Sequence, residues 1–506
     1  MLNFTQTYLY IVFLLLIPAL SCVNAILLKK FIKIRECIFF LISTLPIFFL
    51  LSLMKDKRFW NMTFVCMRPI VSNVYFLLKS SNISNIFVIL ICILYPITTI
   101  YSIAYLHLTQ DKNRGRFHFF VSCAVVSTIC FAYSGNLFTS FVFYDILTVG
   151  TYFLVLHNHT EQAKRGALQY MLYLIIPSIA LLLPAIIEVY DISGTTDFKS
   201  GGILHLIPLS KLWINLLYGM FVFGTAKSAI IVMHRWLVFA MVAPVPVSGL
   251  LHAVLVVKSG VFLLMQITIN IFGIEFLKEN ILTIYNISWP IYIAIFTLLF
   301  GSFSAISADN LKKRLAYSTI SQISYILLSI FYFSKKAIYA GMIHFVAHSF
   351  AKLNIFFYVG ILHTKYKISY ISDLIKSTQK VGFVMMISLL LCIFSIIGLP
   401  PTLGFTSKYN LILSLLNNQN DLIIFIAFLI SAITTVIYLM PFFYHIISFE
   451  DNQKLVTQKL VNPNENRFIN ALLEISIIIS PIVLLLLFFL INMNYIPMQL
   501  NVSKLL

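Results

Sequence analysis

Four lysines stand inside runs that are otherwise apolar: Lys227, Lys258, Lys352 and Lys408. A lysine at bilayer depth costs roughly 2.5–3.5 kcal/mol on insertion scales, so four left unpaired would cost roughly 10–14 kcal/mol. The net stability of a whole domain is only about 5–15 kcal/mol. These amines must therefore face protein or water, pair with a carboxylate, or shed their protons. Burial penalises the charged form of an amine, so a buried lysine can load and unload a proton near neutral pH. The densest stretch is residues 224–261, GTAKSAIIVMHRWLVFAMVAPVPVSGLLHAVLVVKSGV. Lys227 and Lys258 lie near its two ends, His234 and His252 between them, and Pro244 and Pro246 interrupt its middle.

Three further groups extend the pattern. Asp145, in NLFTSFVFYDILTVGTYFLV, is the single carboxylate in the middle of an apolar run and the candidate partner of Lys227. His344, His348 and Lys352 follow one another at i, i+4 and i+8 in GMIHFVAHSFAKLNIFF, which places them near one helix face. Imidazoles titrate near neutrality, so such a stripe reads as a proton relay; the bland alternative is two hydrogen-bonded core histidines with a lysine snorkelling to the interface. Lys408 follows GLPPTLGFTS, where two prolines cannot continue a helical ladder. Broken backbone at membrane depth is tolerated where it is buried or lines a wet cavity, so this lysine is placed to exchange protons with water. His445 reads as interfacial. No carboxylate or cysteine completes a metal site around the paired histidines.

Composition sets what must hold these residues. The chain has 506 residues, 60% of them hydrophobic and 10% charged. Apolar runs of about 20 residues recur from end to end, each long enough to cross the hydrocarbon as a helix. Long runs without alternation exclude a β-barrel. The expected fold is an all-α polytopic membrane protein with fourteen spans, at 5–28, 37–54, 85–107, 117–135, 136–156, 166–189, 212–233, 244–271, 281–303, 314–333, 336–362, 381–413, 421–447 and 468–492. Residues 55–84 read as a partly interfacial loop. The start, MLNFTQTYLYIVFLLL, lacks a basic leader and reads as the first span rather than a cleaved signal.

The net charge of +18 would suggest nucleic acid in a soluble protein. Here it sorts by side instead. Twenty lysines and arginines follow odd-numbered spans, eleven follow even-numbered spans or lie at the far terminus, and four are intramembrane. The excess puts the odd loops in the cytoplasm and both termini outside. The cysteines, Cys22, Cys37, Cys66, Cys92, Cys123, Cys130 and Cys392, form no CxxC pair and read as small core residues. Walker A, dinucleotide, haem, flavin and iron–sulfur patterns are absent from the sequence, so no cofactor is expected. A lysine beside an interruption occurs in both the seventh and the twelfth span, a spacing that fits inverted repeats.

Taken together, the motifs at 227–262, 309–328 (DNLKKRLAYSTISQISYILL), 342–360 (MIHFVAHSFAKLNIFFYVG) and 398–412 (GLPPTLGFTSKYNLI) resemble the proton-translocating antiporter family. That family includes the large subunits of Mrp (Mnh-type) monovalent cation/proton antiporters, of respiratory complex I and of membrane-bound hydrogenases. The first three motifs resemble D-type antiporter subunits. The resemblance implies about fourteen helices, two inverted five-helix repeats and broken seventh and twelfth helices. The corresponding division is 1–116 for the first three helices and a loop, 117–271 and 272–447 for the repeats, and 448–506 for the last helix. The family's carboxylate–lysine pair maps onto Asp145 and Lys227, its helix-eight lysine onto Lys258, its central histidines onto His344 and His348, and its helix-twelve lysine onto Lys408.

Three departures stand out. Tyr144-Asp145 replaces an aromatic-Glu pair, one methylene shorter. Val232 and Val238 replace prolines around the seventh-helix break. The chain also ends soon after the fourteenth span, without the long lateral helix of the largest complex I antiporter subunit.

The expected function is that of a proton-conducting subunit of a multi-subunit cation/proton antiporter in the bacterial inner membrane, with no enzymatic activity of its own. The proton carriers would be Asp145, Lys227, His234, Lys258, His344, His348, Lys352 and Lys408. Na⁺ or another monovalent cation would move through a partner membrane subunit. The alternatives are a proton-pumping subunit of a complex I-type or hydrogenase assembly, and a scaffold that has lost transport.

Overall fold

The structure, a computed structural model, describes residues 16–28, 30–53, 63–66, 74–377, 382–415, 422–447 and 467–493. The expected beginning of the first span, most of the 55–73 loop, Lys454, Lys459 and both termini lie outside these residues. The described chain is predominantly helical, and a helix occupies each of the fourteen apolar runs. Among the described residues nine helices are long and apolar enough to cross a membrane, with three shorter apolar helices beside them.

Local chemistry sets where these helices start. The side chains of Ser81, Asn136, Thr160, Ser210 and Asn310 each accept a hydrogen bond from the backbone N–H three residues on, satisfying a donor that the first turn would otherwise leave free. Close contacts between carboxylates and basic side chains tie the helix ends on one side. Glu36 meets His107 at 2.7 Å and Arg114 at 3.3 Å, and Asp111 meets His157 at 2.9 Å. Burial lowers the His157 pKa, and its hydrogen bond to Asp111 opposes that shift. Arg314 donates to the carbonyls of Ile306, Ala308 and Tyr438, closing the end of the ninth span.

Two helices form the middle of the bundle. The eighth span, Val245–Phe272, is buried throughout its most apolar window, and the eleventh, Lys335–Tyr366, is 94% buried there. The eleventh has 32 residues, about 48 Å of helix. It packs on Val245–Ala253, Leu311–Phe331, Phe383–Ile397, Leu403–Leu415 and Arg467–Asn492. Every candidate amine therefore lies on or beside one of these two helices.

The structure corrects several expectations. Residues Thr63–Cys66 pair antiparallel with Leu77–Lys79, so the 55–84 loop contains a short pair of strands. A hairpin, Thr283–Ile284 with Ile287–Ser288, turns through Tyr285 and Asn286 at positive φ and delays the ninth helix to Trp289–Ser307. The break in the seventh span does not sit at the prolines. Lys211–Gly224 ends first, a 3₁₀ turn covers Ala226–Ser228, and helix resumes at Arg235–Phe239. Pro244 caps the next helix and Pro246 lies in its first turn, where a missing N–H costs nothing.

Valine at 232 does not abolish the break. Val232 itself adopts φ +79°, an outlying conformation for a β-branched residue, and Ala229 is left-handed as well. The irregular loop is held from both sides. Trp236 Nε1 donates to the Ala226 carbonyl at 3.0 Å, and the Ile231 N–H donates to Thr297 Oγ1 at 3.1 Å. The eighth span is also interrupted, at Val254–Leu255 between His252 and Lys258. The twelfth is interrupted where GLPP indicated: Phe383–Ile397 ends at Gly398 and helix restarts at Leu403.

Gly260 lets the eighth span approach the seventh-span break. A Cβ there would overlap the backbone at Lys227 and Ser228. Gly260→Ala is expected to destabilise the purified chain by about 1–3 kcal/mol, as overpacking does, whereas Gly150→Ala, with open space around it, should leave the thermal midpoint unchanged. Thermal unfolding in detergent compares the two.

Candidate functional site

The irregular segment at the seventh-span break delivers Lys227 against the fifth span, Leu137–Val155. Its ammonium donates to the Tyr144 carbonyl and lies 3.4 Å from the centroid of the Tyr144 ring. The Lys227 backbone N–H donates to Tyr144 Oη at 3.1 Å. Tyr144 thus holds this residue through carbonyl, ring and hydroxyl, a role not assigned to it from sequence. Asp145 is next in the chain, and its charge reaches Lys227, but the two form no direct ion pair. Asp145 Oδ2 instead accepts from Ser178 Oγ at 3.1 Å, and Oδ1 is buried without a partner. Ser178 opens a π-helical segment, Ser178–Leu182, in the sixth span. The one-methylene shortening is expressed here as a carboxylate turned to the sixth span, with its neighbour's carbonyl filling the place beside the lysine.

Lys408 shows a different use of a broken helix. Its ammonium donates to the carbonyls of Ile396 at 2.7 Å and Ile397 at 3.1 Å. These are the last carbonyls of Phe383–Ile397, which a continuous helix would have engaged, and they sit at the negative end of the helix dipole. The Tyr325 ring lies 4.5 Å away. Gly398 is required twice over: its φ is +93°, and a Cβ there would meet the Lys408 side chain at 2.9 Å.

Lys352 is fully buried and does not snorkel. It donates to Ser318 Oγ at 2.7 Å and to the Leu315 carbonyl at 3.1 Å. Lys258 is equally buried, yet its ammonium has no hydrogen-bond partner and faces only the Phe345 ring, 4.5 Å away. It is the single amine of the four with its donors unanswered by protein.

The histidines lie between these amines. His344 Nδ1 is 2.9 Å from Ser407 Oγ, and that hydroxyl donates to the Gly404 carbonyl. With its proton engaged there, Ser407 accepts, so the network assigns the His344 proton to Nδ1 and leaves Nε2 free as an acceptor. Nε2 has no partner, and neither ring nitrogen of His348 has one. The two rings are 6.3 Å apart. Charges on Lys258 and Lys408 both reach His344, and those on Lys258, Lys352 and His252 reach His348. Both histidines are thus within reach of the eighth-span lysine, and His344 of the twelfth-span lysine as well.

His234 stands apart. It precedes Arg235–Phe239, packs on Phe300 at 4.8 Å, and makes no hydrogen bond to another member of the set. His445, expected at the interface, is buried between Tyr358 and Ser377. Two residues join the group that sequence reasoning did not place in it. His252 is fully buried with both nitrogens unpartnered, and its position between Lys227 and Lys258 was its signal. Lys312, read as loop charge, donates to the Ala243 carbonyl at 2.8 Å and sits within electrostatic reach of His252. Its side chain lines a cavity of about 200 Å³ together with Asn310, His363 and Tyr370.

This architecture and these buried amines agree with comparison to known proteins. Residues 134–434 match the family described as NADH:quinone oxidoreductase/Mrp antiporter, TM. The chain belongs to that family. The antiporter subunit mnhA2 of Staphylococcus aureus is 27% identical over 425 residues, covering 73% of this chain and 51% of that protein. The mnhA2 of Staphylococcus epidermidis is 30% identical over 365 residues, covering 68% and 44%. The chain therefore spans about half the length of the curated relatives it matches, and these carry an A-type name where the motifs resemble D-type wording. Among solved structures, the Mrp complex from Dietzia sp. DQ12-45-1b superposes with a TM-score of 0.76 at 19% identity, over 99% of this chain and 51% of that one. A chain of the membrane-bound sulfane sulfur reductase, an archaeal respiratory membrane complex, gives 0.75 at 17% identity, over 99% and 100%. Both likenesses establish the shared fold.

Lys258→Met removes a buried, unanswered polar group with little change in volume. It is expected to leave the stability unchanged or raise it by up to about 1–3 kcal/mol. Lys408→Met, which frees two carbonyls, should lower it. Thermal unfolding should show a lower midpoint for Lys408→Met and an unchanged or higher one for Lys258→Met.

Proposed function

We propose that this chain is a proton-conducting membrane subunit of a multi-subunit monovalent cation/proton antiporter in a bacterial inner membrane. The observation that carries this reading is the spacing of titratable groups through the bundle interior. Lys258 lies within electrostatic reach of both His344 and His348, and Lys408 within reach of His344, and the free imidazole nitrogens of this group can receive and pass a proton. Family membership supports the same conclusion.

In this reading Asp145 is the switching carboxylate. Turned to Ser178, it leaves Lys227 held by the Tyr144 carbonyl; turned inward, it pairs with Lys227 and strengthens that lysine's hold on its proton. Residues 117–271 and 272–447 act as the two halves, joined by His344 and His348. His252 and Lys312 extend the file toward the cavity beside Lys312, on the side the Lys/Arg distribution puts in the cytoplasm. Lys408 exchanges with the opposite side. Lys352 adjusts His348, and His234 has no part in transfer. Partner membrane subunits carry Na⁺ or another monovalent cation. A second reading, a proton-pumping subunit of a redox-driven membrane complex, is favoured by the full-length match to the sulfane sulfur reductase chain. Copurification separates the two: iron–sulfur partners support the second, small membrane subunits the first.

Inverted vesicles containing the assembled complex test the proposal through cation-dependent dissipation of ΔpH. Lys408→Ala and Lys258→Met are each expected to reduce it at least tenfold while the complex still assembles. Transport retained at the native rate in either variant overturns the assignment.

A further inference from the structure

A pair of thiols lies apart from the amines and takes no part in their network. Cys22, on the first span (Leu16–Leu27), faces Cys123, on the fourth (Arg114–Ala132), with the two sulfurs 3.6 Å apart. The residues preceding them set this register. Tyr95, from the third span, brings its hydroxyl to 3.2 Å from Ser122 Oγ and 3.5 Å from Ser21 Oγ. Ser21, Tyr95 and Ser122 are buried, so three helices meet at one polar point and present adjacent cysteines to each other.

Both thiols are only partly buried, on a flank where Leu20 and Val23 are 52% and 47% exposed. Elsewhere Cys92, Cys130 and Cys392 are buried and Cys37 is exposed, and no second close pair occurs among the described side chains. A disulfide has sulfurs about 2.05 Å apart. Closing the remaining gap takes about 1.5 Å of combined movement, a modest adjustment of two small side chains.

We propose that Cys22 and Cys123 form a redox-reactive pair that closes to a disulfide and staples the first span to the fourth. Two S–H bonds break and one S–S bond forms. The two electrons and two protons pass to a membrane-soluble oxidant of the quinone class, which leaves as the quinol; a dithiol reductant reverses the step by exchange. The exposed apolar flank beside the pair, at Leu20 and Val23, suits such an oxidant better than an aqueous one. This inference stands whether or not the chain conducts protons.

The test uses the full chain in native membranes treated with a fully substituted quinone, which cannot alkylate thiols. Free thiols are then blocked with N-ethylmaleimide under denaturing conditions, the sample is reduced, and newly released thiols are tagged with a polyethylene-glycol maleimide. The native chain should take up two tags. Cys22→Ser and Cys123→Ser should each take up none, while Cys92→Ser matches the native chain. Mass spectrometry of an unreduced digest, which needs no variant, should recover the Cys22–Cys123 cross-link. No reduction-dependent tag in the native chain, or a link between other cysteines, overturns the proposal.

Discussion

A charged amine can stay in the bilayer interior only where something replaces the water it has lost, and here the replacement is mostly backbone carbonyl. A continuous helix has none to give, because its carbonyls are committed to its own ladder. A helix that stops releases its last four. Lys408 takes two of these from Phe383–Ile397. Lys227 lies within a break and reaches across to Tyr144. Lys352, on an unbroken helix, depends on a serine hydroxyl and one shared carbonyl. Interruption and buried charge are therefore two aspects of one constraint. The irregular backbone has to be buried or wetted, and the ammonium needs an acceptor where no solvent can supply one.

The breaks impose a packing demand in turn. Loop backbone that leaves the helical path needs a neighbour without a side chain. Gly260 provides this beside Lys227 and Ser228, and Gly404 comes against the Ser395 carbonyl in the twelfth span. Where the usual proline is absent, the break rests on tertiary contacts: Trp236 to Ala226 and Thr297 to Ile231. The left-handed Val232 is the cost of that arrangement, since a valine would leave this conformation if those contacts were lost.

Much of the plan could be read from the sequence for a simple reason: one charge in an apolar run is conspicuous. Lys227, Lys258, Lys352, Lys408, Asp145, His344 and His348 were visible that way, and GLPP marked the twelfth-span break correctly. Other features left no local trace. The eighth-span interruption at Val254–Leu255 has no proline or glycine at it. The direction in which Asp145 turns depends on a serine 33 residues away. Tyr144 was one of many buried aromatics until Lys227 was placed over it. His234 had the right chemistry and spacing but faces Phe300, because the irregular segment 225–234 gives no helical phase from which to infer its direction. Pro244 and Pro246 misled in the opposite sense, since a proline pair can begin a helix as readily as break one.

Lys258 is the exception to this arrangement. Three of the four lysines are held by fixed acceptors, so a proton on any of them has a partner already in place. Lys258 has none. The Phe345 ring lies 4.5 Å from it, and its charge reaches His344, whose Nε2 is free, and His348, whose two nitrogens are free. A site that stabilises neither bound nor released proton through a fixed hydrogen bond responds most to neighbouring charge, which acts at longer range in a low dielectric. The unpaired amine is on the eighth span, which meets the seventh-span break through Gly260.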